Sequence, residues 1–282
     1  MTALVGVTAI WGSTFIVVQN AVYKMPVMDF LAVRFTAAAL IMFILRPTCL
    51  RRMTRRGLWH GIVMGIALGA AYITQTYGLL SASATVSGFI TGMFVVLTPV
   101  LSVILLRRKT NRFTWFAVML ATIGLAQLSL YGWAIGKGEF LTLICALFFA
   151  IHIVGLGEWS SQHDIYGFTL IQITTVAVIS LAVCLPGGIV IPPDTEVWIA
   201  VGVTAVLATT LAFLIQTWAQ SLVPPARAAV VMTMEPVFAG LFAVLIGGEN
   251  LTLRILSGAA CILAAMYIVQ FKSIRNADQQ RI

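Results

Sequence analysis

"IVMGIALGAAYITQTYGLLSASATVSGFITGMFVVLTPVLSVILL", residues 62–106, runs for 45 residues without an Asp, Glu, Lys or Arg. A helix needs about 20 consecutive apolar residues to cross a bilayer core, so this stretch holds two crossings. The run is continuous rather than alternating with period two, which points to helices and not to a barrel. A second uncharged stretch covers Phe140 to Gly157. Across all 282 residues the composition agrees: 60% are hydrophobic and 9% charged, against about 25% charged in a soluble domain. So few charges cannot cover a water-facing surface, and the chain reads as an integral membrane protein. The N-terminal "MTALVGVTAIWGSTFIVV" lacks the basic start and small-residue cleavage site of a signal peptide and reads as a first span.

Apolar runs between charged or turn-rich breaks predict ten helices, near 2–20, 28–45, 58–79, 84–106, 113–130, 139–157, 165–186, 196–219, 226–247 and 254–271. The joints are short and carry Pro, Gly or charge, as in "LRRKTNR", "PGGIVIPPD" and "LVPPAR". The excess charge of +8 is a topology signal rather than a nucleic-acid surface. Arg46, Arg51, Arg52, Arg55 and Arg56 share one joint, Arg107, Arg108, Lys109 and Arg112 another, and Lys272, Arg275 and Arg281 the tail. The opposite side receives Lys24, Lys137 and Arg254. Positive charge stays inside, so both termini are expected in the cytoplasm, with the protein in the inner (plasma) membrane.

The two halves echo each other. Gln75-Thr76-Tyr77 in "ALGAAYITQTYGLL" corresponds to Gln216-Thr217-Trp218 in "VLATTLAFLIQTWAQSL", and Thr98-Pro99 to Glu235-Pro236. Trp11 falls opposite Phe148, and Arg34 opposite Gln172. The expected units are residues 1–132 and 133–282, five helices each. Five is odd, so the second copy runs inverted through the membrane, an arrangement that recurs in secondary transporters with the site at the repeat interface.

The chain resembles the EamA-type branch of the drug/metabolite transporter superfamily. The resemblance rests on "AIWGSTF", "MPVMDFLAVRF", "SASATVSGFITGMFVVLTPVLSVILL" and "MEPVFAGLFAVLIGGENLTLRILSGAACILAAMYIVQ", and it covers nearly the whole chain. It implies ten helices in two inverted five-helix halves, both termini inside, and transport without ATP hydrolysis. It implies no one substrate. Arg107-Arg108-Lys109 stands where many relatives carry Gly-Glu, so a role for that acid transfers to Gly248-Glu249 of the second half alone.

Candidate site residues follow from burial cost. Glu235 lies about nine residues into its span, ~13 Å deep at 1.5 Å per residue. There an acid usually faces a bundle interior or a water-filled cavity. Arg34 is about six residues below the outer end of span two, ~9 Å, close enough in depth to pair with Glu235 and alternatively able to bond span-end carbonyls or pair with Asp29. Trp11, Tyr72, Phe94, Phe148 and Trp218, with the polar Gln75, Gln216 and His152, are the expected wall of a mostly apolar pocket. Phe15, Tyr77 and Phe149 belong to the same aromatic set. Pro99 and Pro236 are expected hinges inside their helices. Gly61, Gly65 and Gly69 form a stripe for close helix packing, as do Ala200, Thr204, Ala208 and Ala212, and Gly88 with Gly92.

The scattered Cys49, Cys145, Cys184 and Cys261 suit neither disulfides nor zinc, and P-loop, HExxH and GxSxG signatures do not occur. The expected function is therefore secondary transport of a small organic metabolite, such as an amino acid or drug-like compound. Alternating access and export are expected, driven by a coupling proton or the substrate's own gradient. Import or facilitated flux by the same fold is the alternative, and a membrane-embedded enzyme or scaffold a more distant one. The expected partners are the substrate and the lipid bilayer, with no cofactor, metal or nucleic acid, in a monomer or homodimer.

Overall fold

The computed structural model describes residues 2–107, 112–131, 134–222 and 231–279. Arg108, Lys109, Arg281, residues 226–230 of the ninth expected span and the joint beyond Leu222 lie outside them. The described chain is helical, apart from one antiparallel pairing of Leu130–Tyr131 with Ala134–Ile135. Its helices are α1 (Thr2–Val22), α2 (Val27–Leu45), α3 (Arg55–Gly78), α4 (Ala84–Gly92), α5 (Phe94–Leu106), α6 (Arg112–Ser129), α7 (Lys137–Trp159), α8 (Ile165–Cys184), α9 (Thr195–Val203), α10 (Ala212–Leu222), α11 (Glu235–Leu245) and α12 (Leu253–Gln279). A π-helical segment, Thr204–Leu211, joins α9 to α10.

Seven of the described segments are long and apolar enough to cross a bilayer, and three shorter apolar helices accompany them. Among the described residues, each expected run contains helix. Several start where a polar side chain accepts an otherwise orphaned backbone N–H. Thr54 caps α3 through Gly57, Asp164 caps α8 through Gly167, and Asp194 caps α9 through Val197. Ser83 does the same for α4 through Val86.

Two expected spans are interrupted. The fourth breaks at Met93 between α4 and α5, although Pro99 itself lies inside α5. The ninth was expected to carry Pro236 in its interior. Instead a turn at Thr233–Met234 ends one helical piece, and Pro236 sits in the first turn of α11. That position wastes no hydrogen bond, because the first-turn N–H has no intrahelical acceptor anyway.

Packing follows the small-residue stripes. α3 lies along α7 and α8, α1 and α4 along α11, and α6 along α12. The Gly61, Gly65 and Gly69 stripe faces α8, as the spacing predicts. A Cβ on Gly65 would stand 2.5 Å from the Thr175 Cβ and 2.8 Å from the Gln172 carbonyl oxygen. Gly88 of α4 is pressed against Ala239, where a Cβ would meet the Ala239 Cβ at 2.4 Å. Gly12 brings α1 onto the Glu235 carbonyl, 2.9 Å from where its Cβ would be. These contacts draw α1, α4 and α11 together around the start of α11, where Glu235 sits. The four cysteines are free thiols.

Candidate functional site

Inward-facing side chains of α1, α2, α3, α5, α7, α10 and α11 enclose a cavity of about 40 Å³, space for no more than a few water molecules. Of the ten residues expected to form a site, eight line it: Trp11, Arg34, Tyr72, Gln75, Phe94, His152, Gln216 and Glu235. They come from both halves of the chain. Phe148 and Trp218 are not in the lining. Their places are taken by Phe149, next along α7, and by Phe213 on α10. Trp218 is 50% exposed and its counterpart Tyr77 40%. The reason is helical phase: two residues past Gln75 or Gln216 is roughly 200° around the helix, on the opposite face. Neither Pro99 nor Pro236 lines the cavity. Pro99 is half-buried in α5, whereas Pro236 is buried against Gly92 and sets the backbone that carries Glu235.

Arg34 is fully enclosed. Its Nε donates to the Thr209 hydroxyl at 3.0 Å, and its guanidinium stacks 4.8 Å from the Tyr72 ring centroid and 5.1 Å from that of Phe35. It pairs with neither expected acid. Asp29 accepts instead from the Val190 backbone N–H at 2.8 Å, and no ion pair joins Arg34 to Glu235. Glu235 is buried and lines the same cavity, and it takes part in none of the ion pairs among the described residues. A guanidinium and a carboxyl group therefore line one cavity without pairing with each other, and Tyr72 lies in the same lining. An ionisable group without a partner in an apolar interior is costly to keep charged.

The remaining polar groups are equally directional. The Gln172 amide nitrogen donates to the Phe168 carbonyl at 3.1 Å, which turns its oxygen toward His152 Nε2 at 2.7 Å. His152 must then carry its proton on Nε2, leaving Nδ1 as a buried acceptor without a partner. The Gln216 Oε1 is likewise unpartnered. Trp11 Nε1 donates to the Ala208 carbonyl at 2.8 Å. Ala208 and Thr209 both belong to the π-helical segment, so this widened turn supplies the anchor for Trp11 and the one for Arg34. Widened turns of this sort recur at functional sites.

The aromatic wall converges on Phe213. Its ring lies 5.4 Å from Trp11, 6.1 Å from Tyr72 and 6.1 Å from His152, while Phe149 packs edge-on to Tyr72 at 5.5 Å. Phe213, Thr209 and Gln172 were absent from the expected site, while Phe149 and Phe15, named only in the wider aromatic set, do line the cavity. A signal for Phe213 did exist in the repeat: it stands three residues before Gln216, as Tyr72 stands before Gln75.

Interactions at the end bearing Lys24 tie the helices together. Lys24 pairs with Asp194 at 3.0 Å and with Glu196. Gln19 donates to the carbonyls of Leu79 and Ala82, both at 2.9 Å. Glu249 accepts from the backbone of Ala84 at 2.8 Å and of Thr85 at 3.3 Å, covering the N-terminus of α4.

A model of the EamA-like transporter family matches residues 1–130 and 136–271. An uncharacterized transporter of Archaeoglobus fulgidus is 33% identical over 266 residues, covering 94% of this chain and 84% of that one. The uncharacterized transporter YoaV of Bacillus subtilis is 22% identical over 98% of both chains. A solved crystal structure shares the fold, with a TM-score of 0.71 at 16% identity over 97% of each chain.

Proposed function

The chain belongs to the EamA-like transporter family, and on that premise we propose that it exports a small zwitterionic metabolite, such as an amino acid, by alternating access. The observation that carries this reading is a buried guanidinium and a buried carboxyl group lining one aromatic cavity with no ion pair between them. Arg34 would turn its guanidinium to a carboxylate, and Glu235 its carboxyl group to an ammonium or to a coupled proton. Phe213, Trp11, Tyr72 and Phe149 provide the apolar wall for a side chain. His152 Nδ1 and Gln216 Oε1 add acceptors for a polar substituent.

Seven long apolar helices and three shorter ones support ten spans. The two matched stretches, 1–130 and 136–271, support two five-helix repeats, 1–132 and 133–282, inverted relative to each other. The concentration of arginine at one end supports an inner-membrane orientation with both termini cytoplasmic. On that orientation Gln19, Lys24 and Glu249 close the outer side. A pocket for a drug-sized ligand holds about 300–1,000 Å³, so a cavity of about 40 Å³ corresponds to a closed form that must widen to load.

The test is transport of three related compounds into inside-out vesicles: an aromatic amino acid, its amide and its N-acetyl derivative. The intact zwitterion should be accumulated, whereas the amide, lacking a carboxylate, and the N-acetyl compound, lacking an ammonium, should not. Equal transport of all three would overturn the two-charge reading. Accumulation in right-side-out vesicles only would assign import.

A further inference from the structure

Outside the central cavity, a second feature lies on the side of the bundle formed by α2, α3 and α8. α2 and α3 each lie along α8 but touch one another only sparingly. The cleft between them is a groove of about 730 Å³. Leu40 and Phe43 form one wall, Ile62 and Ile66 the other, and Ile171 and Val178 lie on the floor. The lining is almost wholly hydrocarbon. Along α8 it extends from Leu170 to Leu181, roughly 17 Å at 1.5 Å per residue, which matches the ~15 Å depth of one leaflet's apolar half.

One end of this groove is cationic. Leu50, a lining residue, belongs to the short 3₁₀ turn Pro47–Arg52, beside Arg51 and Arg52. Arg55 precedes the lining residue Leu58 by three positions, so it heads the same helix face as Leu58, Ile62 and Ile66. All three arginines are exposed. Among the described residues the ion pairs are made by Lys24 and Arg46, not by these three. The guanidinium fork matches a phosphate's paired oxygens, and a hydrocarbon groove directly below matches a fatty-acyl chain.

We infer that this groove binds an anionic phospholipid, one acyl chain lying between α2 and α3 and the phosphate headgroup held by Arg51, Arg52 and Arg55. The site is separate from the transport cavity, and its test does not depend on transport. A cationic residue at the membrane surface strengthens binding of an acidic lipid about fivefold.

The experiment is electron spin resonance of spin-labelled phosphatidylglycerol and phosphatidylcholine, with the full-length protein in phosphatidylcholine bilayers. The expected result is a motionally restricted population that favours phosphatidylglycerol. Arg55→Gln should weaken that preference about fivefold, and Arg51→Gln, Arg52→Gln and Arg55→Gln together should abolish it. Thr174→Trp, at an exposed position in the lining, fills the groove without opening the core and should also remove the restricted population. Excess inorganic phosphate should not compete, since it lacks the chain. Equal affinity for the two lipids would overturn the inference. So would a preference that survives the arginine changes, survives Thr174→Trp, or is displaced by phosphate.

Discussion

Adding one methyl group at Gly65 should destabilise the protein, whereas adding it one turn away at Gly69 should not. The Cβ of Gly65→Ala would lie 2.5 Å from the Thr175 Cβ and 2.8 Å from the Gln172 carbonyl oxygen. Neither neighbour is the free end of a side chain, so α3 and α8 must part by several tenths of an ångström. At Gly69 the nearest atom is the Ile179 Cδ1 at 3.5 Å, an ordinary contact. Both substitutions gain the same helix-propensity benefit, up to about 1 kcal/mol, which cancels in the comparison. What remains is the overpacking at Gly65, about 1–3 kcal/mol. The assay is unfolding by sodium dodecyl sulfate in mixed micelles, followed by helicity, for wild type and both variants. Equal stability of the two variants would refute the idea that the stripe sets the α3–α8 distance. A functional consequence follows, because the Gln172 side chain fixes His152 at 2.7 Å. Transport should therefore fall further in Gly65→Ala than in Gly69→Ala.

Trp11→Phe keeps the ring but leaves the buried Ala208 carbonyl without its donor, and should cost about 1–3 kcal/mol in the same unfolding assay. Glu249→Ala removes the acceptor for two backbone N–H groups at the start of α4 and should cost about 0.5–2 kcal/mol. It should also raise the labelling of a cysteine placed at Ser81, if the contact closes the outer side. At the opposite end, His163 accepts or donates to His60 at 3.0 Å. Burial, and secondarily Arg56, holds the His163 imidazole below its ordinary value of 6.5. The unfolded chain then binds the proton first, so this contribution is fully present above pH 6.5 and is lost as pH falls through the lower folded value. Melting temperature should decline in that acidic window for wild type and decline less for His163→Gln. Equal profiles would remove His163 from the account.

Much of this architecture is legible in the chain because the bilayer enforces it. Spans such as Val27–Leu45 need long uncharged runs, and the glycine stripe of α3 has the spacing that a helix contact demands. The interruption at Met93 carries no such mark, whereas the one at Met234 has Pro236 just beyond it, at a position that suits a helix start. Both depend on how closely α4, α11 and α1 approach, through Gly88, Gly92 and Gly12, which only the assembled bundle fixes. The π-helical turn at Thr204–Leu211 is equally silent, having neither Pro nor Gly; its partners Trp11 and Arg34 lie far away in sequence. Cost identified the buried charges, since an acid such as Glu235 has few excuses within a membrane. Aromatic character alone was a weaker guide. Trp218 and Tyr77 each follow a Gln-Thr pair yet face outward, while Phe213, which precedes Gln216 by three residues as Tyr72 precedes Gln75, is the ring around which the cavity closes.

The two-charge cavity is tested most directly by Glu235→Gln in reconstituted vesicles, which preserves side-chain shape and removes the charge. Binding and transport of the aromatic amino acid would be measured for wild type and variant, with and without an imposed proton gradient. The account predicts a loss of at least about tenfold in affinity, roughly 1.4 kcal/mol, together with loss of gradient-driven accumulation and an unchanged melting profile. Wild-type affinity, rates and pH dependence in Glu235→Gln would contradict it and leave Glu235 a structural acid.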